Sequence, residues 1–212
     1  MVMSDAMVLD GVTKRYPNGR GIKNVSFSVP RGEIFGFLGP NGAGKTTTIR
    51  TIMDFMRPDK GTITLLDLDA QTASVMAKYR IGYVPADRQL YQNWTGEKHL
   101  ALYQSMRPKS KLDVVKRLDV DLHTPVKHLS TGNKQKLAVA LALCGQPELL
   151  IMDEPTAGLD PLLQQAIYEI LAKYKQSGGT VFLSSHNLGE VEKICDRVGI
   201  IKDGRIVADR TM

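Results

Sequence analysis

The chain has 212 residues, of which 42% are hydrophobic and 24% charged, and its formal net charge is +6. These values fit one sizeable α/β domain spanning 1–212 and exclude a disordered or fibrous chain and two domains of ordinary size. The longest apolar stretches, Leu137 to Cys144 and Leu149 to Met152, fall far short of the roughly 20 residues a spanning helix needs, and Met1 to Asp10 lack the basic start and apolar block of a secretory leader, so the sequence predicts a cytoplasmic protein.

Taken in chain order, Val8 to Tyr16 and Val25 to Val29 alternate apolar and polar residues around a Pro17-Asn18-Gly19 turn, which predicts an antiparallel pair. Glu33 to Leu38 is a nearly continuous apolar run that enters a glycine-rich loop, and Thr46 to Met56 reads as the following helix. Ile63 and Leu65 predict a short strand after the Asp59-Lys60-Gly61 turn, and Ile81 to Val84 another before Pro85. From Asp87 to about Leu129 the sequence turns polar and weakly periodic, with Pro108 and Pro125. This predicts a helical subdomain inserted between strands, about 87–146 with the helix that follows it. His99, His123 and His128 fall in that region and are expected at the surface, without a role. Leu149 to Met152 and Thr180 to Ser184 predict two buried strands, separated by a helix with Ile167, Ile170, Leu171 and Tyr174 on one face. The last signal is a hairpin around Asp203-Gly204, between the apolar runs 198–201 and 206–207. Strands alternating with helices predict a mostly parallel sheet covered on both sides. Cys144 and Cys195 show no CxxC spacing and read as reduced thiols, and scattered Lys and Arg residues read as solvated surface.

Three groups of residues carry chemistry. Gly39, Pro40, Asn41, Gly42, Ala43, Gly44, Lys45 and Thr46 match GxxxxGK[ST], with Thr47 next in the helix. In that pattern backbone N–H groups turn inward around phosphate, Lys45 reaches the β- and γ-phosphates, and the Thr46 hydroxyl ligates Mg²⁺. A strand before the loop and a helix after it are the context the motif requires. Asp153 and Glu154 stand at the end of an apolar strand, where open α/β sheets place their ligand sites. Asp153 is expected to hold Mg²⁺ through water, and Glu154 to orient or deprotonate the attacking water. Alone, this pair would read as a strand ending in solvent; beside the phosphate loop it reads as catalytic. His186 follows the strand Thr180 to Ser184 at the same edge and can bridge phosphate and carboxylate.

Over essentially its whole length the chain resembles the nucleotide-binding domain of ABC transporters. The diagnostic piece is Leu129-Ser130-Thr131-Gly132-Asn133, followed by Lys134-Gln135-Lys136, which looks like the family signature. Ser130 and Gly132 open a helix that runs to about Cys144 and presents a hydroxyl and a helix N-terminus to an anion. The resemblance implies a P-loop NTPase core with an N-terminal antiparallel part and an inserted helical subdomain. It implies ATP and Mg²⁺ as ligands and a head-to-tail dimer of like or unlike chains, in which Ser130 and Gly132 meet the γ-phosphate held by the second domain. Asp160 matches the loop that communicates across the dimer, and Tyr16 the aromatic that stacks on adenine. A separate membrane-spanning permease is implied as partner, with the chain at the cytoplasmic face of the membrane. Gly82 to Pro85 with Leu90-Tyr91 resemble the exporters of drugs, antibiotics and other apolar compounds.

The sequence also departs from the family pattern. Ala86 stands where a glutamine is usual, Thr131 and Asn133 replace glycine and glutamine, and the stretch between Thr95 and Leu129 is short. Two other readings remain: an ABC ATPase acting on nucleic acid or the ribosome, which usually carries a coiled-coil insertion or two cassettes, and an ATP sensor without turnover. Ala86 favours the sensor; Glu154 and His186 oppose it.

Overall fold

The structure, a computed structural model, describes residues 4–87, 89–107 and 111–212. Pro108 therefore lies outside the described residues, as do the first three positions of the segment weighed as a leader. In chain order the elements are β1 (Asp5–Arg15), β2 (Gly21–Pro30), β3 (Ile34–Leu38), α1 (Lys45–Ile52), β4 (Lys60–Leu65), β5 (Leu68–Asp69), α2 (Ser74–Tyr79) and β6 (Ile81–Val84). There follow α3 (Gly96–Met106), α4 (Asp113–Arg117), a 3₁₀ turn at Val126–His128, α5 (Thr131–Cys144), β7 (Leu149–Asp153), α6 (Pro161–Gln176), β8 (Thr180–Ser185), α7 (Leu188–Ile194), β9 (Arg197–Lys202) and β10 (Arg205–Thr211).

Two sheets result. The first, in the order β2-β1-β4-β5, is antiparallel, and its alternating pattern sends Leu9, Val25 and Ile63 into the core. The second has the order β10-β9-β3-β8-β7-β6. Its strands from β9 to β6 run parallel, and β10 closes the edge as the antiparallel partner of β9. The buried runs Ile34–Leu38 and Leu149–Asp153 suit central strands covered on both faces. An aromatic seam joins the two sheets. Phe27 of β2 stacks on Phe35 of β3 and Phe182 of β8, with centroids 5.4 and 5.8 Å apart. Each such ring removed from water is worth about 1.5–3 kcal/mol, so the seam fixes the first sheet over the strands that carry the site.

Several expectations need correction. The helix after the glycine loop ends at Ile52, not Met56, because Asp54 takes the left-handed conformation (φ 49°) and the N–H groups of Phe55 and Met56 both fold back onto Arg50 O. Helix α2 had no signal in the sequence: six residues do not display a 3.6-residue period. His99 is not a surface residue but 6% exposed. Its Nε2 accepts the Tyr91 N–H at 3.0 Å and its Nδ1 donates to Thr95 O at 2.9 Å, so backbone partners satisfy both ring nitrogens of a neutral imidazole. His128 and His123 are exposed, and His123 faces Glu97 at 3.2 Å. Among the described residues, no helix is long and apolar enough to cross a membrane.

Candidate active site

Strand register brings the chemical residues together. Leu38 of β3 pairs with Ser185 of β8, and Ser184 pairs with Asp153 of β7, so three parallel strands end at one edge. The glycine loop, Asp153-Glu154 and His186 all leave from that edge, the usual place for a ligand in an open α/β sheet. The Gly39 N–H donates to Ser185 O at 3.1 Å and locks the start of the loop to β8.

The loop is pressed against its neighbours. A Cβ on Gly39 would stand 2.5 Å from Ile201 O, and Gly44 combines a φ of 114° with 2.9 Å from such a Cβ to Ile22, so neither position accepts a side chain without movement. The Gly204 N–H, at the turn of the β9–β10 hairpin, donates to Ala43 O at 2.9 Å and supports the loop from below. Gly44 caps α1 without a side-chain hydrogen bond, and the first turn holds no acidic residue. The positive end of α1 is thus presented to whatever anion the loop encloses.

Lys45, the first residue of α1, is 6% exposed. Its ammonium donates to Gly39 O at 2.6 Å and Pro40 O at 3.2 Å, and stands 3.1 Å from Glu154 Oε1. That last contact is an ion pair without hydrogen-bond alignment, since Glu154 Oε1 has no hydrogen-bond partner. Thr46 is exposed and Thr47 half-buried on the same turn.

Asp153 is 1% exposed and accepts the Ser184 hydroxyl at 2.6 Å. The same Ser184 oxygen accepts the Glu154 N–H at 3.0 Å, so one serine ties down both acidic residues. Glu154 is held at φ 50°, a left-handed conformation that costs a non-glycine residue about 1–3 kcal/mol and is concentrated at functional sites. Its Oε2 accepts from His186 Nδ1 at 2.7 Å. Sequence reasoning missed Ser184; only the β7–β8 register makes its role visible. Behind Asp153, the Tyr83 phenol is pushed up to about 12 by burial and then by the charges of Asp153 and Asp87.

Tyr16 follows β1, and its hydroxyl lies 3.4 Å from Thr47 Oγ1 and 3.4 Å from Met56 Sδ. It lines a cleft of about 410 Å³ together with Asn41, Gly42, Lys45, Thr46 and Glu154. Arg20 also lines this cleft and was not anticipated; a cation three residues past the turn proline was its only trace in the sequence. Ser130, Gly132 and Asp160 do not join this group. They line a second cleft, of about 430 Å³, with Arg117, Asn133 and Lys136. There the Ser130 hydroxyl oxygen accepts the Asn133 N–H at 3.2 Å and caps α5, and Asp160 accepts the Leu163 N–H at 3.0 Å and caps α6. Ala86 lies in a turn after β6, and the neighbouring Asp87 accepts from Gln89 Nε2 at 2.7 Å.

One cleft therefore offers a glycine cradle, a helix N-terminus, a buried ammonium and the Glu154 carboxylate, with the His186 imidazole bonded to Glu154 and Asp153 buried beside it, a set suited to holding a polyphosphate and activating water. The sequence matches the protein family described as "ABC transporter" over residues 22–157. It is 39% identical to an uncharacterized ABC transporter ATP-binding protein (YcbN) of Bacillus subtilis, with 96% of this chain and 68% of that protein covered. It is 36% identical to the Nod factor export ATP-binding protein I of Ralstonia nicotianae, covering 94% of this chain and 65% of that protein. It is also 36% identical to a fluoroquinolones export ATP-binding protein of Mycobacterium tuberculosis, covering 98% and 71%. Among solved structures, the ATP binding subunit of an ABC transporter superposes with a TM-score of 0.90 at 31% identity, covering 98% of this chain and 90% of that one. A dimeric ATP-binding cassette in a post-hydrolysis state with ADP and Pi shares the fold, with a TM-score of 0.85, 24% identity and coverage of 97% and 98%.

Proposed function

The chain belongs to the ABC transporter family as one of its ATP-binding proteins, and on that premise we propose how its own residues bind and split ATP to drive export through a separate membrane subunit. It is an ATP-binding and ATP-hydrolysing subunit that works with a second ATPase domain. The observation that carries the assignment of roles is the placement of Glu154 between Lys45 and His186, at 3.1 and 2.7 Å, beside the glycine loop.

The loop from Gly39 to Gly44 and the N-terminal turn of α1, with Thr47, wrap the β- and γ-phosphates with backbone donors. Lys45 exchanges its contacts to Gly39 O and Pro40 O for phosphate oxygens, a stronger charge-assisted bond. Glu154 orients the attacking water and takes its proton. His186 steadies Glu154 through Nδ1, which leaves Nε2 to meet a γ-phosphate oxygen. Tyr16 stacks on the adenine. Thr46 and Asp153 supply hard oxygen donors of the kind Mg²⁺ takes, and the buried, hydrogen-bonded Asp153 carboxylate is suited to outer-sphere support of the ion. Mg²⁺ held there would supply charge neutralisation to the bound polyphosphate.

Ser130, Gly132 and Asp160 serve the nucleotide of the second domain, which explains why they line a cleft of their own. In this reading residues 87–146 are the inserted helical part that takes the membrane subunit, and the chain works at the cytoplasmic face. Relatives named as exporters of Nod factor and fluoroquinolones favour export of an apolar or amphiphilic compound over action on nucleic acid or the ribosome.

The test is ATP hydrolysis by the purified chain over a range of protein concentrations, beside Glu154→Gln. A rate per chain that climbs with concentration and collapses in the variant supports the two-site engine. Tight ATP binding without phosphate release at any concentration favours the sensor instead.

A further inference from the structure

Glu190 on α7 makes no hydrogen bond to the glycine loop, yet three hydroxyls from three separate parts of the chain converge on its carboxylate. Its Oε1 accepts from Thr156 and from the Tyr168 phenol, the latter at 3.2 Å, and its Oε2 accepts from Ser185 at 2.6 Å. Thr156 is two residues past Glu154, and Ser185 immediately precedes His186. Both are buried, at 3% and 0% exposure, so neither hydroxyl turns to solvent for another acceptor. The Ser185 oxygen also accepts the Asn187 N–H at 3.0 Å, and for its own proton Glu190 Oε2 at 2.6 Å is a far closer acceptor than Asn187 O at 3.5 Å. Thr156 also opens the segment that ends at Asp160; its carbonyl accepts the Leu159 N–H at 3.2 Å. We propose that Glu190 is a positioning residue for the Glu154–His186 pair, holding from one carboxylate the two loops on which those residues stand.

The chemistry of the carboxylate is what the arrangement requires. An ionised glutamate is acceptor-only at both oxygens, and all three neighbours donate to it. A glutamine of the same size keeps one acceptor oxygen and places an NH₂ at the other. In either orientation, the Ser185 hydroxyl or the Thr156–Tyr168 pair then faces a donor. The hydroxyl on that side must turn to accept from the amide, and the charge-assisted hold on one loop is lost while the volume and the remainder of α7 are kept. Burial first, and then the Glu190 charge, also push the Tyr168 phenol far up, in keeping with a phenol that keeps its proton and donates it to Glu190. Glu190 makes no hydrogen bond or ion pair to the phosphate loop or to Glu154, so the expected effect falls on turnover and leaves nucleotide binding alone.

The inference rests on reading Glu154 and His186 as the hydrolytic pair, and the experiment separates the two. ATP hydrolysis is measured against ATP concentration for the full chain and for Glu190→Gln, His186→Ala, Glu190→Gln/His186→Ala and Glu154→Gln. Glu190→Gln is expected to lower kcat at least about tenfold, the scale of loss from sub-ångström to one-ångström misplacement, with KM for ATP and melting temperature unchanged. Added to His186→Ala it should cost less than it does in the wild-type background, because residues acting through one another are non-additive. Ser185→Ala, which removes one small hydroxyl, should reproduce the kcat loss and stands in if Glu190→Gln does not fold. Wild-type kcat in Glu190→Gln or Ser185→Ala, or losses that multiply in the double variant, would overturn the proposal. A Glu154→Gln chain that hydrolyses at the wild-type rate would sink the reading of the pair itself, and this inference with it.

Discussion

His186 Nδ1 lies 2.7 Å from Glu154 Oε2, although 32 residues separate them and each stands on a loop after a different strand. The opposite oxygen of the same carboxylate lies 3.1 Å from Lys45 Nζ. A carboxylate fixed between two cationic or donor groups and open toward the glycine loop is placed to orient a water, whereas its amide lacks the charge to take a proton. Glu154→Gln should therefore lower the rate of phosphate release by about 10²–10⁴ while leaving ATP affinity within a few-fold of wild type. Phosphate release and nucleotide titration on the same preparation check both halves.

Lys45 donates to Gly39 O and Pro40 O and pairs by charge with Glu154 at 3.1 Å, so the ammonium already sits over the loop that encloses the phosphates. Hydrogen bonds to charged groups contribute about 1.5–3 kcal/mol, which corresponds to roughly a 10- to 150-fold change in affinity. Lys45→Ala should weaken ATP binding by that factor, measured by calorimetric titration, and should lower kcat as well. An unchanged Kd would mean that the lysine stays with the carbonyls when nucleotide binds.

The Tyr16 hydroxyl has only two long contacts, to Thr47 and Met56, each at 3.4 Å. If the ring serves as a platform for adenine, its face matters and its hydroxyl does not. Stacking on a base is worth about 1–3 kcal/mol by alanine substitution. Tyr16→Ala should weaken ATP binding about tenfold, with Tyr16→Phe close to wild type. Equal losses in both variants would assign the affinity to the hydroxyl contacts instead.

The parts of this molecule that were legible in the sequence are those whose reasons are local. The run into Gly39, the strand ending in Asp153-Glu154 and the hairpin at Asp203-Gly204 each carry their own period or turn chemistry, and the structure has them where the residues imply. What stayed hidden depends on residues far away in the chain. Ser184 reads as the polar end of a strand until register sets it opposite Asp153, where it binds both acidic residues. His99 reads as surface because its neighbours are polar, yet its partners are backbone groups of Tyr91 and Thr95 that composition does not reveal. Glu190 reads as one more charge on a short helix, and three hydroxyls from separate elements give it its environment.

Ser130 has two possible duties, and they can be told apart. Its side chain accepts the Asn133 N–H at 3.2 Å, so Ser130→Ala should cost about 1 kcal/mol of stability through loss of the α5 cap. Ser130→Asp keeps a capping acceptor and adds a negative charge to the cleft with Arg117 and Lys136. Should the residue also meet the γ-phosphate of a second chain, the aspartate variant would keep the melting temperature and lose ATP-dependent dimerisation, read by light scattering with Glu154→Gln as the trapping background. Dimerisation that survives in the aspartate variant would limit Ser130 to capping.

Glu148, at the start of β7, accepts from Arg80 Nε at 2.6 Å and Nη2 at 2.7 Å and from Arg31 Nη1 at 3.2 Å, while Arg31 also reaches Asp67 at 2.6 Å. This cluster ties the first sheet to the second at the end opposite the active site. The Arg80 hydrogen bond, aided by the charges of Arg80 and Arg31, holds the Glu148 carboxyl below its ordinary value despite some burial that opposes it. A depressed folded value means that the stabilisation is fully present above the ordinary carboxylate range and is lost as pH falls through the folded value. Glu148 and Arg80 keep 46% and 33% of their side-chain surface exposed, so solvent screening limits the gain to about 1 kcal/mol. Glu148→Gln should unfold at lower urea than wild type near neutral pH, and the difference should close as both proteins are taken below about pH 4. A gap that persists undiminished in acid would show that packing of the side chain, and not its charge, joins the two sheets.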